Sequence, residues 1–500
     1  MSSIDKKSQS NLTRPGFEAA LFALTLDRAL PSPLHVQLCD GLRALLLRGG
    51  DLAGLALPPS RLLAAELSVS RMTVTTAYDQ LTAEGYLTAR RGSGTFVAAD
   101  LPHLAPAPAP TAQPAPPPAD WQLFQTGLPD QALFPHRQWA RQMDRAWRAP
   151  EPALLGRPDP FGWMPLRRAI AAHLGAWRGL ECRGEQVVIT GGAWDGVDIL
   201  TRALFSGPQQ IALEDPGWAS LHHAVRDAGH SPLPLRIDAD GFDPAQIPAG
   251  TAAAIVTPSR HYPTGRPMPL PRRLALLDWA QATGALVVED DYDSEFRYQG
   301  QPLPALTGLD QQGRTIYMGS FSKLLSSALR LGYLVLPEGG IAAVRAYLER
   351  RGARASLAPQ PALAGFMDSG DFATHLRRMR RSYARRQTVL LEALTPLSAW
   401  LDLSPDPSGM HLCLPLRPAL LRHTTDAAIS EAGRATGLRI GALSRHAVLP
   451  DALQALLLGY SGFDEDRLRQ GAARLCDLIE TLTRTGSEAR QSPRPPARDG

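Results

Sequence analysis

The residue best suited to covalent chemistry is Lys323, which stands in the stretch TIYMGSFSKLLSSALRLGY. The chain has 52 basic residues, yet its only lysines are Lys6, Lys7 and Lys323. A guanidinium stays protonated in proteins, whereas a lysine amine can lose its proton and attack a carbonyl. The sequence therefore predicts that Lys323 is a Schiff-base lysine. The alternative is a surface lysine that a compositional drift towards arginine left unchanged.

Polar side chains of several kinds flank this lysine. Asp290 and Tyr292 follow the apolar run ALVVE, Ser320 and Ser322 precede the lysine, and Arg330 follows it. A carboxylate after a strand could bind a metal, cap a helix or pair with a pyridinium nitrogen. Hydroxyl groups with a guanidinium suit a phosphate dianion. An amine, a carboxylate, a phenol and an anion site are together what pyridoxal 5′-phosphate (PLP) requires. The pattern therefore predicts a PLP site and no metal site.

Apolar runs that alternate with helical patterns predict the scaffold of this site. The runs EQVVIT, QIALED, TAAAIVTPS, ALVVEDDY and TIYMGS are short and continuous. They are typical of a mostly parallel sheet covered on both faces, whose sites collect at the carboxyl ends of the strands. Gly192 and Ala193 follow the first run, where small residues let backbone N–H groups approach an anion at a helix N-terminus. A tight turn also needs glycine, so both explanations of this pair stay open.

The N-terminal part has a different pattern, of short helices followed by a β-hairpin. Helical spacing begins at Pro33, and a second helix is predicted from Ser60, which we expect to cap it. In that helix Leu62 is expected to face inward. A short turn leads to a third helix, from about Arg71 to Gly85. Two short helices joined by a tight turn match a helix-turn-helix, and the run YLTARRGSGTFVA predicts a hairpin wing.

Composition divides the chain further. Eight prolines lie between Pro102 and Pro118, which predicts an extended and fairly stiff spacer. The predicted segments are an N-terminal segment disordered at its start (1–30), a winged-helix domain (31–99), a Pro/Ala-rich linker (100–120), an α/β body (121–484) with a small C-terminal α+β subdomain (about 371–484), and a disordered tail (485–500).

The bulk composition argues against several classes of protein. A net charge of +4 on 500 residues is too small to indicate nucleic-acid binding by itself. The four cysteines are scattered without metal-ligand spacing, which favours a reducing cytosol. No apolar run approaches the length of a membrane span. We therefore expect a cytoplasmic protein with no membrane segment.

Three N-terminal motifs carry a family resemblance: PLHVQL, LPPSRLLAAELSVSRMTVTTAYDQLTAEGYL and RRGSGTFV. They resemble the winged-helix DNA-binding domain of the GntR family. The resemblance implies that the third helix lies in the major groove of double-stranded DNA. Residues expected to contact phosphates and base edges are Arg61, Ser70, Arg71 and Thr73. In the wing, Arg91 with Gly92 would reach the minor groove.

The motifs EDPGW, HYPTG, EDDYDSEFRY and SFSKLLSSALRLGY resemble, in order and spacing, the fold type I aminotransferases. The resemblance implies that Lys323 forms the internal aldimine with PLP, Asp290 pairs with the pyridine nitrogen and Tyr292 hydrogen-bonds the 3′-oxygen. Trp218 would stack on the ring. The implied phosphate contacts are Gly192, Ala193, Ser320, Ser322 and Arg330. Arg445 is our candidate for binding the carboxylate of an amino-acid effector.

The order of winged helix, linker and aminotransferase-like body resembles the MocR/GabR subfamily of GntR regulators over nearly the whole chain. The resemblance implies a PLP-dependent, DNA-binding transcriptional regulator that senses PLP or an amino compound, with an amino acid or an amine as effector. It also implies a homodimer whose subunits associate head to tail. The alternative is an active aminotransferase that carries a DNA-binding domain, because every group for a half-transamination is present.

Overall fold

The structure, a computed structural model, describes residues 15–48, 52–90, 92–99, 122–156, 158–301 and 303–491. The chain divides into two compact units, Met1–Ala119 and Asp120–Gly500. The start of the predicted N-terminal segment, the predicted linker at 100–120 and Arg91 lie outside the described residues. Within the described ranges, no helix is long and apolar enough to cross a membrane.

The N-terminal unit is helical and ends in a hairpin. Its elements are α1 (Pro15–Phe22), α2 (Leu34–Arg48), α3 (Ser60–Glu66), α4 (Arg71–Ala83), β1 (Leu87–Arg90) and β2 (Gly94–Val97). The predicted helix-turn-helix and wing are confirmed, because α3 and α4 follow each other across a short turn and β1 pairs antiparallel with β2. Apolar side chains from all these helices form one hydrophobic cluster, which includes Leu42, Leu63, Val74 and Leu81.

Two expectations about α3 are wrong. Ser60 is the first helical residue and not the cap, because Pro59 holds the capping position and makes no side-chain hydrogen bond. Ser60 instead accepts a hydrogen bond from Nε of Arg71 at 3.4 Å. Leu62, which was expected inside, is 48% exposed. A helix of seven residues has one narrow face to bury, and Leu63 already occupies it.

The C-terminal unit alternates strands and helices. Its helices are α5 (His136–Arg148), α6 (Pro152–Leu155), α7 (Met164–Arg178), α8 (Ala193–Leu204), α9 (Ala219–Asp227), α10 (Leu270–Thr283), α11 (Phe321–Leu324), α12 (Glu338–Arg351), α13 (Gln360–Asp368), α14 (Asp371–Ala393), α15 (Pro418–Leu421), α16 (Asp426–Ala435) and α17 (Glu465–Gln491). Its strands are β3 (Val187–Thr190), β4 (Gln210–Asp215), β5 (Ser231–Arg236), β6 (Thr251–Val256), β7 (Leu286–Asp291), β8 (Thr315–Ser320), β9 (Gly332–Val335), β10 (His411–Pro415), β11 (Gly441–Ala442) and β12 (Ala455–Gly459).

The large sheet has the strand order β3-β9-β8-β7-β6-β4-β5. Strand β9 runs antiparallel to both neighbours, and the other pairs are parallel, which confirms the predicted mostly parallel sheet. Strands β3 and β9 are buried along their whole length. Burial on both faces explains why the predicted strands were continuous apolar runs. Strand β5 was not predicted because it contains two prolines, which its place at the sheet edge tolerates.

Strand β7 ends in three consecutive buried acids, Glu289, Asp290 and Asp291. Side chains alternate across a strand, so the first and third share a face. Both contact Arg178 of α7, whose Nε lies 2.9 Å from Oδ2 of Asp291 and whose Nη2 lies 3.5 Å from Oε1 of Glu289. The pleat therefore separates Asp290 from the other two acids.

A smaller antiparallel sheet, in the order β10-β12-β11, follows the long helix α14. Leu376 and Met379 of α14 belong to the same hydrophobic cluster as Tyr317 of β8 and Leu412 of β10. The large and small sheets of this unit therefore share one core.

The final helix is longer than the sequence predicted. Helix α17 ends at Gln491, although a disordered tail was predicted from residue 485. No proline interrupts the chain before Pro493, whose ring disfavours helical backbone at the preceding residue, so the helix can continue to that point. The rest of the predicted tail lies outside the described residues.

Candidate functional site

A cavity of about 180 Å³ lies at the carboxyl ends of the large-sheet strands. This position is where ligands bind in open α/β sheets. Segments that follow β3, β4, β6, β7 and β8 contribute to its wall, together with the start of β10. The lining residues are Thr126, Gly127, Ala193, Trp218, Tyr262, Asp290, Tyr292, Asp293, Ser320, Lys323, Met410 and His411.

Lys323 lies on α11, directly after β8. Ser320 caps this short helix, since its Oγ accepts a hydrogen bond from the N–H of Ser322 at 3.2 Å. The Nζ of Lys323 donates a hydrogen bond to the carbonyl oxygen of Gly127 at 2.9 Å. Burial lowers the pKa of Lys323, and the nearby Asp293 and Asp290 oppose the shift. The neutral amine is therefore populated at lower pH than in free lysine, as a nucleophilic amine requires.

Asp290 faces the cavity as a buried carboxyl group, 9% exposed. No described residue donates a hydrogen bond to its carboxylate. Burial raises the pKa of Asp290 to about 7; Asp291 adds to the rise, and Lys323 opposes it. A buried carboxylate costs free energy unless a donor or cation pairs with it. Asp290 therefore suits a ligand that brings an N–H donor into the cavity.

Tyr292 stands beside Asp290 with its hydroxyl oriented by an arginine. Its Oη accepts a hydrogen bond from Nη1 of Arg260 at 2.8 Å, which leaves the hydroxyl proton available to a ligand. Burial raises the pKa of Tyr292 far above its usual value, and Arg260 opposes the rise, so the phenol stays protonated. Tyr262 packs edge-on against this ring, with centroids 5.6 Å apart. Trp218 precedes α9 and lines the cavity.

The predicted phosphate contacts are brought together only in part. Those that line the cavity are Ala193 and Ser320, and those that do not are Gly192, Ser322 and Arg330. Gly192 precedes α8 with φ of 112°, a conformation that favours glycine. Arg330 is exposed. The pairing of Gly332 with Ser320 nevertheless brings the backbone after Arg330 beside the start of α11.

Several lining residues were not predicted from the sequence: Thr126, Gly127, Asp293, Met410 and His411. Asp293 belongs to the motif EDDYDSEFRY. The sequence therefore singled out this segment but did not predict that Asp293 lines the cavity. Gly127 has φ of 74°, and a Cβ atom there would lie 2.6 Å from Nζ of Lys323. Arg445, our candidate for an effector carboxylate, does not line the cavity. It is exposed and pairs with Oε2 of Glu431 at 3.3 Å.

The described residues that were predicted to contact DNA lie on the surface of the N-terminal unit. Arg61, Ser70 and Arg71 are exposed, and Thr73 is half-buried. The Oγ of Ser70 accepts a hydrogen bond from the N–H of Thr73 at 3.0 Å and so caps α4. This cap fixes the start of the helix, which stabilises it by about 1 kcal/mol. Gly92, with φ of 78°, forms the turn of the wing.

Two further residues share the exposed face of α4. Met72 is 73% exposed, and Thr76 is exposed one turn later on the same face. Their positions follow from the burial of Val74 and Ala77, which places this face away from the core. A methionine on a surface otherwise polar is suited to contact a thymine methyl group.

Known proteins resemble both units of the chain. The model "Bacterial regulatory proteins, gntR family" matches residues 34–97, and "Aminotransferase class I and II" matches residues 128–448. The chain is 37% identical over 483 residues to the probable rhizopine catabolism regulatory protein MocR of Rhizobium meliloti. The matched region covers 93% of this chain and 97% of that protein. The chain belongs to the MocR-type GntR transcriptional regulators. It is a DNA-binding transcriptional regulator with an aminotransferase-like domain.

A second relative of this regulator is the HTH-type pyridoxine biosynthesis transcriptional regulator PdxR of Corynebacterium glutamicum. It is 35% identical over 464 residues, which is 91% of this chain and 98% of that protein. Among solved structures, the α-aminoadipate aminotransferase LysN of Thermus thermophilus has a TM-score of 0.65 at 24% identity, covering 73% of this chain and 93% of that one. The kynurenine aminotransferase of Pyrococcus horikoshii has a TM-score of 0.63 at 22% identity, covering 72% and 90%. The body of the regulator therefore has the aminotransferase fold.

The residues of the cavity fit the PLP that this fold implies. A buried amine, a carboxylate without a protein donor and a phenol with an available proton stand around one small space. The missing Cβ of Gly127 leaves room beside the amine. These are complementary to an aldehyde, a pyridinium N–H and a ring oxygen.

Proposed function

We propose that this regulator binds PLP at Lys323 and changes its affinity for promoter DNA when the cavity binds PLP or an amino compound. The observation that carries the proposal is the partly buried amine of Lys323, in the same cavity as the unpaired carboxylate of Asp290. No other lysine occurs after residue 7, so no other side chain in the body can supply this chemistry. The name of the relative PdxR, which refers to pyridoxine biosynthesis, agrees with a vitamin-derived ligand.

Each residue has one task in this proposal. When bound, PLP supplies an aldehyde that reacts with amines and a ring that withdraws electrons. Lys323 provides the neutral amine, which its lowered pKa makes available. Asp290 would accept a hydrogen bond from the ring nitrogen, and the hydroxyl group of Tyr292 would donate a hydrogen bond to the 3′-oxygen. Trp218 would cover one face of the ring.

We assign the phosphate of PLP to the segments that begin α8 and α11. The proposed contacts are Gly192, Ala193, Ser320, Ser322 and Arg330. The start of α8 offers backbone N–H groups, and Arg330 is exposed and able to turn towards an anion. Removal of this arginine should therefore weaken PLP binding without changing the amine of Lys323.

We further propose that the regulator acts as a head-to-tail homodimer that presents two winged helices to double-stranded DNA. On each, the predicted contacts are Arg61, Ser70, Arg71 and Thr73, with Arg91 and Gly92 in the wing. A ligand can shift DNA affinity only if it binds two conformations of the dimer with different affinity. The predicted stiff linker would transmit that difference as a change in the spacing of the two DNA-binding units.

A competing proposal is an active aminotransferase that carries a DNA-binding domain. The same lysine, aspartate and tyrosine would serve turnover, so the cavity alone favours neither reading. Repeated conversion of amino donors, over many equivalents of bound PLP, would support the enzyme. A change in DNA affinity without turnover would support the regulator.

The test is promoter binding, measured by fluorescence anisotropy with the DNA upstream of the regulator's own gene. Wild type should bind this DNA, retain near-visible absorbance after PLP is added and the unbound PLP is removed, and change its DNA affinity at the same PLP concentrations. The Lys323→Arg variant keeps the positive charge but cannot react with an aldehyde. It should still bind DNA and should lose both responses. If Lys323→Arg responds to PLP like wild type, the assignment of the cofactor site is wrong.

A further inference from the structure

The charged groups that line the cavity are one amine and two carboxylates. Lys323 is the amine, and Asp290 and Asp293 are the carboxylates. Among the described residues, no arginine lines this space. A carboxylate on a ligand is normally recognised by a guanidinium or by several N–H donors. Among the described residues, the cavity wall therefore presents no guanidinium to a ligand carboxylate, and the proposed function assigns the exposed Arg330 to the phosphate.

Arg260 contacts residues of this wall, and it has no free N–H donor. Its Nε and Nη2 bond Oδ2 of Asp406 at 3.1 and 2.7 Å, and Nη2 also bonds the carbonyl oxygen of His411 at 2.9 Å. Its Nη1 bonds Oη of Tyr292 at 2.8 Å and Oδ2 of Asp293 at 3.2 Å. A guanidinium has five N–H groups, and all five are used here. Arg260 is 3% exposed, so it is a buried structural cation.

Histidine does not replace the missing cation. His411 lines the cavity, but burial and the charge of Arg260 hold its pKa well below the usual value, so it stays neutral. Its Nε2 lies 3.0 Å from the carbonyl oxygen of Pro263 and is engaged there. A ligand carboxylate would therefore meet neutral or acidic groups on this side of the cavity.

Asp293 adds a preference for donors. Its Oδ2 pairs with Arg260, whereas Oδ1 is buried and has no hydrogen-bond partner. Burial raises the pKa of Asp293 to about 7, so above that pH Oδ1 is an unsatisfied acceptor that a hydroxyl or an ammonium group from a ligand would satisfy. A ligand carboxylate would bring a second acceptor against it. Asp293 also lies close enough to Lys323 to oppose the fall in its pKa more strongly than Asp290 does.

We propose that the effector of this cavity is a primary amine without a carboxylate, whose other polar groups are hydroxyl or amino donors. An amino alcohol or amino polyol has this chemistry. The amine would react at the cofactor, and a hydroxyl or second amino group would donate to Oδ1 of Asp293. The inference rests on the proposed function, because it assumes that PLP is bound at Lys323.

The test compares matched amines on the PLP-loaded full-length protein. The pairs are L-alanine with L-alaninol, L-serine with serinol, and L-lysine with cadaverine. Binding is followed by the change in near-visible absorbance of the bound cofactor. We expect the member without a carboxylate to bind about tenfold tighter or more in each pair. Equal or tighter binding of the amino acids, or no response to any of the three amines, would overturn the inference.

Two variants test the reason for the preference. Asp293→Asn removes the charge that lines the cavity, and Asp406→Asn removes the other carboxylate of Arg260, which does not line it. Asp293→Asn should reduce the preference for the member without a carboxylate several-fold, and Asp406→Asn should leave that preference near the wild-type value. An equal effect of both variants, or no effect of Asp293→Asn, contradicts the role of Asp293. Failure of the cofactor site is recognised separately, because wild type would then retain no near-visible absorbance after unbound PLP is removed.

Discussion

Replacing Asp290 with asparagine should stabilise the PLP-free protein at alkaline pH while it weakens PLP binding. Burial raises the pKa of this carboxyl group from 3.8 to about 7. The shift is roughly three pKa units, and each unit corresponds to about 1.4 kcal/mol. The ionised carboxylate therefore costs the folded protein about 4 kcal/mol at pH 8. Asparagine has nearly the same shape and does not ionise.

The sign of the pH dependence follows from the raised pKa. Between about pH 4 and pH 7 the folded protein binds more protons than the unfolded chain, so the stability of wild type falls as pH rises. The stability of the variant lacks this contribution. The difference in free energy of unfolding between variant and wild type should therefore grow by about 2–3 kcal/mol from pH 5 to pH 8.

The assay is urea unfolding of the PLP-free protein at pH 5 and pH 8. Exposed Asp278 of α10 offers a matched control, because Asp278→Asn makes the same chemical change on the surface. If the free energy of unfolding of Asp290→Asn differs from that of wild type by the same amount at both pH values, the reasoning is refuted. Such a result would mean that the carboxylate of Asp290 is solvated or paired. In the same protein, PLP titration at pH 8 should show weaker binding, because an amide cannot balance a pyridinium charge.

Three further outcomes are expected. Gly127→Ala should slow and weaken PLP loading, followed by near-visible absorbance, because its Cβ would lie 2.6 Å from Nζ of Lys323; Gly284→Ala, at a similar φ of 75° and in open space, should not. Arg386→Met should cost about 3–5 kcal/mol in urea unfolding, because the buried Asp130, 2.5 Å away, would lose its ion pair and keep only the backbone N–H donors of Ala132 and Leu133. A second change, Asp130→Asn, should restore part of the loss. Met72→Ala should alter base preference in promoter binding and leave the salt dependence unchanged, whereas Arg71→Ala should lower the salt slope by about 1; the reverse pattern would contradict our placement of both residues.

Local sequence patterns predicted those strands and helices whose structure follows from their own residues. The strands β4 and β8 were predicted at their observed bounds, because continuous apolar runs between helical stretches leave little choice. The helix-turn-helix was also predicted, since the burial of Val74, Ala77, Tyr78 and Leu81 follows helical spacing. Strand β9 was missed because it is only four residues long and owes its place to pairing with β3 and β8.

The sequence by itself predicted most of the element order and the role proposed for Lys323, because both predictions depend on neighbours along the chain. The motif had already singled out Asp290, but only the tertiary structure showed why it faces the cavity and its two acidic neighbours do not: Arg178 holds Glu289 and Asp291. It also decided that Arg260 is a structural cation and not a ligand-binding one. Its partners Asp406 and His411 lie about 150 residues further along the chain, so no local pattern could show that its donors are occupied.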